Sequence, residues 1–371
     1  GWGPLCEIGK VSEVRFERRT ETVCCGASSL CPVSQICAGS NFSSIHAKVA
    51  PRADVIMQPN ISVASFDDPF LFQNAIRRGQ FEIFPTVRGD FRSELVRVDF
   101  HSVWMQRASE SLPLIRHGAV SADRVIVIFL PEPQLAPLRY CGVDLGPHDV
   151  VVNGSELLTL TSGSASGWAS MSLEPQAFAA AAEAITGREF LRPSATQLVR
   201  PAPEILSRLS ALHRATADLA RADPALLATS QVAHAFETQL TEMMVRGLTQ
   251  GARGRLMAAT LRQRTIIARF EEFLEMRREQ PVYLVDICKA IGVSERTLRA
   301  ACREQFGVSP TRYLWLRRMY LARRRLAEAG ITSTSVTEVA MANGFWELGR
   351  FAAEYRSLFG ETPSMTLRRA S

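Results

Sequence analysis

The spacing of hydrophobic and polar residues along the chain changes at about residue 175, from a strand-like period of two to a helical period. From about Ile61 to Leu173, short apolar segments partly alternate with polar residues and are separated by turns such as Cys141-Gly142. A period of two is typical of half-buried strands. The predicted strands cover residues 80–87, 94–107, 124–130, 150–153, 156–161 and 167–173. Many short strands with turns between them predict a small barrel or sandwich, and a barrel can enclose a small ligand.

Apolar residues recur at helical spacing after Pro175. This pattern predicts helices over residues 176–186, 203–220 and 224–247. Helices beside a barrel form a dimer face, connect domains or pack against their own domain, and the sequence leaves these alternatives open. Residues 250–255 contain two glycines and are expected to be a flexible joint before a helix that begins at about Leu261.

The last hundred or so residues contain one sequence unit written twice, at 286–310 and 338–363, with one residue inserted in the second copy. The aligned pairs include Gly292 and Gly344, Leu298 and Phe351, Cys302 and Tyr355, Gly307 and Gly360, and Pro310 and Pro363. Each copy reads as a short helix, a turn that begins at a glycine, and a second helix ended by another glycine. This is the plan of a helix-turn-helix, whose second helix enters the DNA major groove.

In the first copy, the second helix carries three arginines on its polar side. Ser294 is a suitable N-cap for this helix. At about 100° per residue, Arg296, Arg299 and Arg303 share one side, which by itself is also compatible with a solvated surface. Because arginine near a helix start can bond guanine O6 and N7, Arg296 and Arg299 are predicted to read bases, and Arg303 to contact phosphate.

The second copy has a smaller predicted reading face. Its first helix begins at a capping-box pattern over residues 335–338. The second helix is expected to bury Leu348, Phe351, Tyr355 and Leu358. On the opposite side, Gly349 stands where Arg296 stood and Ala353 where Ala300 stood, while Arg350 and Arg356 remain basic. This face is predicted to approach the DNA backbone closely and to contribute more affinity than specificity.

A predicted helix from Pro310 to Gly330 joins the two copies, with proline at the favoured first position. At about 1.5 Å per residue it spans about 30 Å, while successive major-groove faces on one side of DNA lie about 34–36 Å apart. A stiff helix of this length can set two reading helices into adjacent major-groove segments of bent DNA. The cluster Arg323-Arg324-Arg325 on this helix is expected to be surface charge.

Two helix-turn-helix units joined by a helix resemble the DNA-binding domain of the AraC/XylS family of bacterial transcription regulators. The residues that carry this resemblance in the second unit are Gly344-Phe345, Phe351, Tyr355 and Phe359-Gly360-Glu361-Thr362-Pro363, and the match covers about residues 265–369. The chain departs from the family at Ala300 and Ala353, where a polar or basic reader is frequent. The residues predicted to contact DNA are Glu295, Arg296, Arg299, Arg303, Leu348, Gly349, Arg350, Ala353 and Arg356.

The resemblance implies a cytoplasmic regulator, usually an activator, that binds double-stranded promoter DNA and recruits RNA polymerase. It also implies an unknown small-molecule effector and a homodimer. No membrane association is expected, because the chain lacks an apolar run long enough to span one. The expected fold class is therefore α+β, with a mainly-β, cupin-like N-terminal barrel flanked by helices and an all-α C-terminal domain. The expected divisions are a disordered or non-native extension (1–56), a cupin-like sensing domain (57–186), a helical dimerisation or linker region (187–260) and the DNA-binding domain (261–371).

Charge placement agrees with a DNA-binding C-terminal segment. Between Arg264 and Ser371 lie 18 basic and 12 acidic residues, which accounts for the whole net charge of +6. A positive excess on one segment attracts phosphate. No apolar run approaches the roughly 18 residues of a membrane span.

Two alternatives involve other chemistry. His101, His117 and His148 in the strand-rich region suggest a cupin-like metal-dependent enzyme, although they lack the H-x-H pair of such sites. A cysteine-based metal or alkylation sensor is the other, although no C-x-x-C pair occurs among the early cysteines, which are Cys6, Cys24, Cys25, Cys31 and Cys37. The sequence predicts no catalytic residue, no metal site and no cofactor.

Overall fold

A computed structural model of the chain describes residues 58–370, apart from positions 78, 122, 133–134, 137, 155–156, 188–192, 194, 255–257, 278–281 and 330–333. The expected N-terminal extension, residues 1–56, lies outside the described residues, as do the five early cysteines. The described residues belong to one compact unit.

The N-terminal half is rich in strands, which form two antiparallel sheets. The strands are β1 (Asn60–Phe66), β2 (Gly79–Pro85), β3 (Ser93–Asp99), β4 (Trp104–Glu110), β5 (Leu114–Val120), β6 (Val125–Phe129), β7 (Leu138–Tyr140), β8 (Val143–Leu145), β9 (Val150–Asn153), β10 (Leu157–Ser162), β11 (Ser166–Leu173), β12 (Gln197–Arg200) and β13 (Ala252–Gly254). The large sheet has the order β1-β3-β4-β11-β6-β9-β12-β13, and the small sheet has the order β2-β5-β10-β7-β8.

Helices flank the large sheet and make up the C-terminal half. They are α1 (Pro69–Ala75), α2 (Pro175–Thr186), α3 (Pro203–Ala222), α4 (Pro224–Leu227), α5 (Ser230–Gln250), α6 (Ala258–Met276), α7 (Leu284–Ile291), α8 (Glu295–Phe306), α9 (Pro310–Glu328), α10 (Val336–Ala342), α11 (Leu348–Phe359) and α12 (Pro363–Ala370). Of the described helices, none is long and apolar enough to cross a membrane.

These elements pack in layers, with three hydrophobic cores between them. One core lies between the large sheet and helices α2, α3 and α5. A second lies between the two sheets. The third fills the C-terminal helices and includes Phe84 and Ile115 from the outer face of the small sheet. The small sheet therefore lies between the large sheet and the helical domain.

The alternation of side chains along a strand explains how one sheet serves two cores. On β6, Val127 and Phe129 join the core with the flanking helices, while Ile128 joins the core between the sheets. On β2, Ile83 faces the large sheet and Phe84 faces the helical domain. Because both faces are apolar, these strands show only partial alternation in the sequence.

The sheet-rich N-terminal half and the helical C-terminal half agree with the predicted fold class, but the cupin-like barrel is not confirmed. The described strands form two separate sheets rather than one closed sheet. The predicted strand 94–107 is in fact the β3–β4 hairpin, in which the Phe100 amide donates to the Val103 carbonyl at 2.9 Å. Because this turn contains apolar residues, the hydrophobic pattern of the sequence did not separate the two strands.

Two further corrections concern the region after residue 220. The predicted helix 224–247 is divided into α4 and α5 by residues 228–229. The predicted flexible joint at 250–255 contains β13, which pairs with β12 at the edge of the large sheet. Both α3 and α5 contribute to the core on that sheet. The dimerisation role and the domain boundaries remain predictions.

The repeated unit folds as two helix-turn-helix units, as predicted. In the first, α7 ends at Gly292 with φ 71°, and Ser294 caps α8 by accepting from the Thr297 amide at 3.2 Å. In the second, Ser335 and Glu338 form the predicted capping box at the start of α10. Glycine at positive φ lets the chain reverse with no Cβ clash. The two turns are therefore determined by capping residues and glycines close to them in the chain, which can be recognised in the sequence.

Candidate nucleic-acid interface

The outer side of α8 is basic and its inner side is buried. Arg296, Arg299 and Arg303 are exposed, while Leu298, Ala301, Cys302 and Phe306 are buried in the helical core. Arg299 pairs with Glu295 one turn earlier, with Nε donating to Oε1 at 2.9 Å. Both side chains are about half exposed, so this pair is weak and can open for a ligand. Arg296 makes no ion pair with any described residue.

The corresponding side of α11 is small. Gly349 and Ala353 are exposed, and a Cβ added at Gly349 would meet nothing within 4 Å. Arg350 is exposed and donates to Glu354 at 2.8 Å, while Arg356 is exposed at the last turn. Leu348, predicted to be buried, is instead exposed, because α11 begins at this residue and its buried side comprises Phe351, Tyr355 and Leu358.

The helix between the two units connects to both of them. Phe306 at the end of α8 stacks on Tyr313 of α9 at 4.1 Å between ring centroids. Near the same end, the Trp315 indole donates to Glu354 of α11 at 2.7 Å. Tyr320 packs edge-on against Phe359, also on α11, at 5.0 Å. Since α9 contacts each reading helix through aromatic rings, its length and orientation set their relative position.

The rear of α9 faces the small sheet. Arg317 is buried and pairs with Glu82 of β2 at 2.6 Å and with Glu275 of α6 at 2.5 Å. Arg323 pairs with Asp68, the N-cap of α1, at 2.5 Å. The expectation that the 323–325 cluster is surface charge is therefore wrong for Arg323, which is largely buried against the N-terminal half. Sequence spacing along one helix could not reveal a partner more than 250 residues away.

Trp346 was not among the predicted contacts. Ser294 is the N-cap of α8 and Glu347 is the N-cap of α11, so these two residues are equivalent in the repeat. Trp346, which precedes Glu347, is therefore the residue inserted in the second copy. It lies immediately before α11 and is 63% exposed. A large aromatic side chain this exposed is unusual, so the insertion in the repeat was the signal that could have identified it.

The three histidines lie at separate places. His101 is exposed in the β3–β4 turn and His148 is exposed between β8 and β9. His117 on β5 is mostly buried, with Nδ1 3.0 Å from Thr159 Oγ1 and its ring against Phe306 of α8. Within the part of the chain that the structure describes, no group of three or more histidine, cysteine or acidic residues is placed to hold a metal ion.

The three described cysteines are free thiols in structural positions. Cys141 and Cys302 are buried and Cys288 is partly buried. Burial raises the pKa of the Cys141 and Cys302 thiols. A thiol whose pKa is raised carries little thiolate at neutral pH and is a poor nucleophile.

Residues 287–369 match a family model described as a helix-turn-helix domain. A probable thc operon regulatory protein from Rhodococcus erythropolis is 35% identical over 135 residues, which are 35% of this chain and 41% of that protein. XylDLEGF operon transcriptional activator 3 from Pseudomonas putida is 38% identical over 101 residues, which are 27% of this chain and 30% of that protein. The chain thus spans less than half the length of these two relatives.

Among solved structures, a probable AraC family transcriptional regulator from Rhodopseudomonas palustris is 35% identical. The match covers 28% of this chain and 96% of that one, with a TM-score of 0.26. The match to the family model falls on the segment that contains both helix-turn-helix units and the helix that joins them. Through this C-terminal helix-turn-helix domain, the chain belongs to the AraC/XylS family of transcription regulators.

Proposed function

We propose that this chain is a sequence-specific DNA-binding regulator that acts at bacterial promoters with two helix-turn-helix units in adjacent major-groove segments. The single observation that carries the proposal is the pair of reading helices, each with one exposed polar or small side, joined by α9. The relatives named as operon activators and regulators support activation as its output. An enzymatic role has no comparable support.

In this proposal α8 supplies base recognition. Arg296 reads guanine through its free guanidinium, and Arg299 does so after its exposed pair with Glu295 opens. Arg303 contacts phosphate, since it lies two turns farther along the helix. Glu295 at the start of α8 can accept from a cytosine amino group.

The second unit supplies affinity. Gly349 and Ala353 present no long side chain, which allows α11 to lie against the sugar-phosphate backbone. Leu348 offers apolar contact to a thymine methyl group, and Arg350 and Arg356 pair with phosphates. Trp346, exposed beside them, adds an aromatic surface at the same end of α11.

The N-terminal half is the sensing part in this proposal. It would bind a small-molecule effector as a cytoplasmic homodimer, and the DNA-bound regulator would recruit RNA polymerase. The finer assignment of a cupin-like sensing fold rests on the two packed sheets and the helices that flank them.

Footprinting of the chain on the promoter region beside its own gene tests the proposal. Two protected tracts about one helical turn apart are expected, because the reading helices would occupy successive major-groove segments. The double variant Arg296→Ala with Arg299→Ala should lose the tract bound by α8. Absence of any protected tract for the wild-type chain at low salt would contradict the proposed function.

A further inference from the structure

The start of the second reading helix carries an exposed apolar surface. Trp346 is 63% exposed, and the residues that follow it up to Arg350 are exposed as well. Among the residues that the structure describes, Trp346 has no hydrogen bond, ion pair or ring contact. Since tryptophan at a protein surface is enriched where the protein contacts another molecule, Trp346 is a candidate contact residue.

The backbone at Trp346 is held in place by its neighbours. The preceding ring, Phe345, packs against Phe351 of α11 with 4.9 Å between ring centroids. The guanidinium carbon of Arg318, on α9, lies 5.3 Å from the centre of the Phe345 ring. Because α9 also contacts α8, the position of Trp346 is fixed relative to both reading helices. Binding through Trp346 therefore does not require this segment to become ordered.

Few side chains at this surface can read a base through hydrogen bonds. Leu348, Gly349 and Ala353 are exposed and carry no side-chain donor or acceptor. The charged side chains at the start of the helix are Glu347 and Arg350, and Arg350 already forms an ion pair within α11. The surface that Trp346 extends is therefore mainly apolar.

The major groove offers one apolar group to such a surface. The edges of the base pairs present hydrogen-bond donors and acceptors, and thymine alone adds a methyl group at C5. Contact between this methyl group and an indole removes both from water, which favours binding through the hydrophobic effect. A cytosine at the same position has no methyl group and would leave the indole in water. The contact therefore distinguishes base pairs without a hydrogen bond.

We propose that Trp346 gives the second helix-turn-helix unit a base preference, by packing on the C5 methyl group of a thymine in the groove segment that α11 enters. This proposal rests on the proposed DNA-binding function and adds to it, since the second unit then contributes specificity as well as affinity. Trp346 is the larger of the two exposed apolar side chains at this end of α11, and Leu348 adds a smaller surface beside it.

Promoter duplexes that differ by single methyl groups test the proposal. Each thymine of the tract bound by α11 is replaced in turn by deoxyuridine, which removes the methyl group and keeps every hydrogen-bonding group of the base. Fluorescence anisotropy with the full chain is expected to show binding weakened about fourfold at one or two positions, the effect of one buried methyl group. At those positions, 5-methylcytosine paired with guanine should bind more tightly than cytosine by a similar factor. Equal affinity for all the deoxyuridine duplexes, or a bound tract without thymine, would overturn the proposal.

Substitutions show whether Trp346 is the residue that contacts the methyl group. Trp346→Ala should bind the thymine and deoxyuridine duplexes equally, while Trp346→Phe should retain part of the preference. Leu226→Ala is the matched control and should leave the preference unchanged, because Leu226 is also an exposed apolar residue but lies on α4 in the N-terminal half. A preference that persists in Trp346→Ala would refute the role of Trp346, and its loss in Leu348→Ala would then assign the methyl contact to Leu348.

Two further measurements separate this proposal from other failures. Because Trp346 is exposed and has no partner among the described residues, Trp346→Ala should unfold at the same temperature as the wild-type chain. A clear loss of thermal stability would show that Trp346 supports the fold and would count against the proposal. A wild-type chain that binds no promoter duplex would contradict the proposed DNA-binding function, whereas one that binds every deoxyuridine duplex as tightly as the promoter would contradict the role of Trp346 alone.

Discussion

At the residue scale, Arg296 and Arg299 have the same chemistry but different surroundings. We expect Arg296→Ala to cost about 1–3 kcal/mol at the specific site and to relax base preference there. Arg299→Ala should act similarly, since its exposed pair with Glu295 offers little competition. Fluorescence anisotropy on promoter duplexes and on duplexes with single base changes measures both.

Arg303→Ala is the matched control for these variants. It should weaken binding to all duplexes about uniformly and lower the salt dependence by about one charge. If Arg296→Ala also weakened binding to random DNA as much as to the promoter, Arg296 would be a phosphate contact rather than a base reader.

Gly349 combines an unfavourable helix propensity with open space around it. Gly349→Ala should raise the free energy of unfolding by at most about 1 kcal/mol, because nothing lies within 4 Å of the added Cβ. It should also weaken DNA binding if the backbone of α11 approaches the phosphates. Chemical denaturation and DNA titration of the same variant measure the two effects, and unchanged DNA affinity would remove Gly349 from the interface.

His213 should make stability depend on pH. Burial between α3 and the large sheet lowers the pKa of His213 to about 3, with Arg107 adding to the effect. Below its ordinary pKa of about 6.5 the unfolded chain binds a proton that the folded chain does not, so stability falls as pH falls from about 6.5 towards 3. By this group alone, the loss between pH 7 and pH 5 is about 2 kcal/mol.

Urea unfolding at these two pH values checks the expectation. His213→Gln removes the titrating ring and should flatten the dependence, even if it lowers stability overall. The exposed residue His148 supplies the control, since His148→Gln should leave the pH dependence as it is in the wild-type chain. A wild-type stability that does not change between pH 7 and pH 5 would contradict the prediction.

At the element scale, Trp315 joins the connecting helix to the second reading helix. Trp315→Phe retains the ring but removes its donor to Glu354. We expect a loss of about 0.5–1.5 kcal/mol in unfolding free energy and weaker binding to the two-groove site than to a half-site read by α8. The comparison of full and half sites is the measurement, and an equal effect on both would show that Trp315 does not position α11.

Helices of the repeat were predictable because their signals are local. Ser294, the Ser335–Glu338 box and the glycines at helix ends act within one turn of the chain. The strands were less predictable, since β3 and β4 were read as one segment and short strands such as β12 and β13 were missed. Strands of three or four residues are stabilised by their partners, which are distant in sequence.

At the scale of the whole molecule, Phe84 joins the small sheet to the helical domain. It is 2% exposed and contacts Tyr313 and Tyr320 at 5.4 and 5.8 Å between ring centroids. Phe84→Ala should cost about 3–5 kcal/mol and divide a single thermal transition into two, one for each half. Calorimetry detects the division.

Val127→Ala is the control, because Val127 lies in the core between the large sheet and its helices. That change should lower stability and leave the number of transitions unaltered. If Phe84→Ala also left one transition at a lower temperature, the two halves would unfold as one cooperative unit independently of this contact.

The sequence by itself determined the helix-turn-helix units, the order of strand-rich and helical halves, and the exposed arginines of α8. These follow from periodicity, caps and glycine turns, which are short-range effects. Only the tertiary structure decided that the strands form two sheets, that Arg317 and Arg323 turn towards the N-terminal half, and that Arg116 is buried in an ion pair with Glu110. Those features depend on contacts between side chains that are far apart in the sequence, and local sequence patterns do not show such contacts.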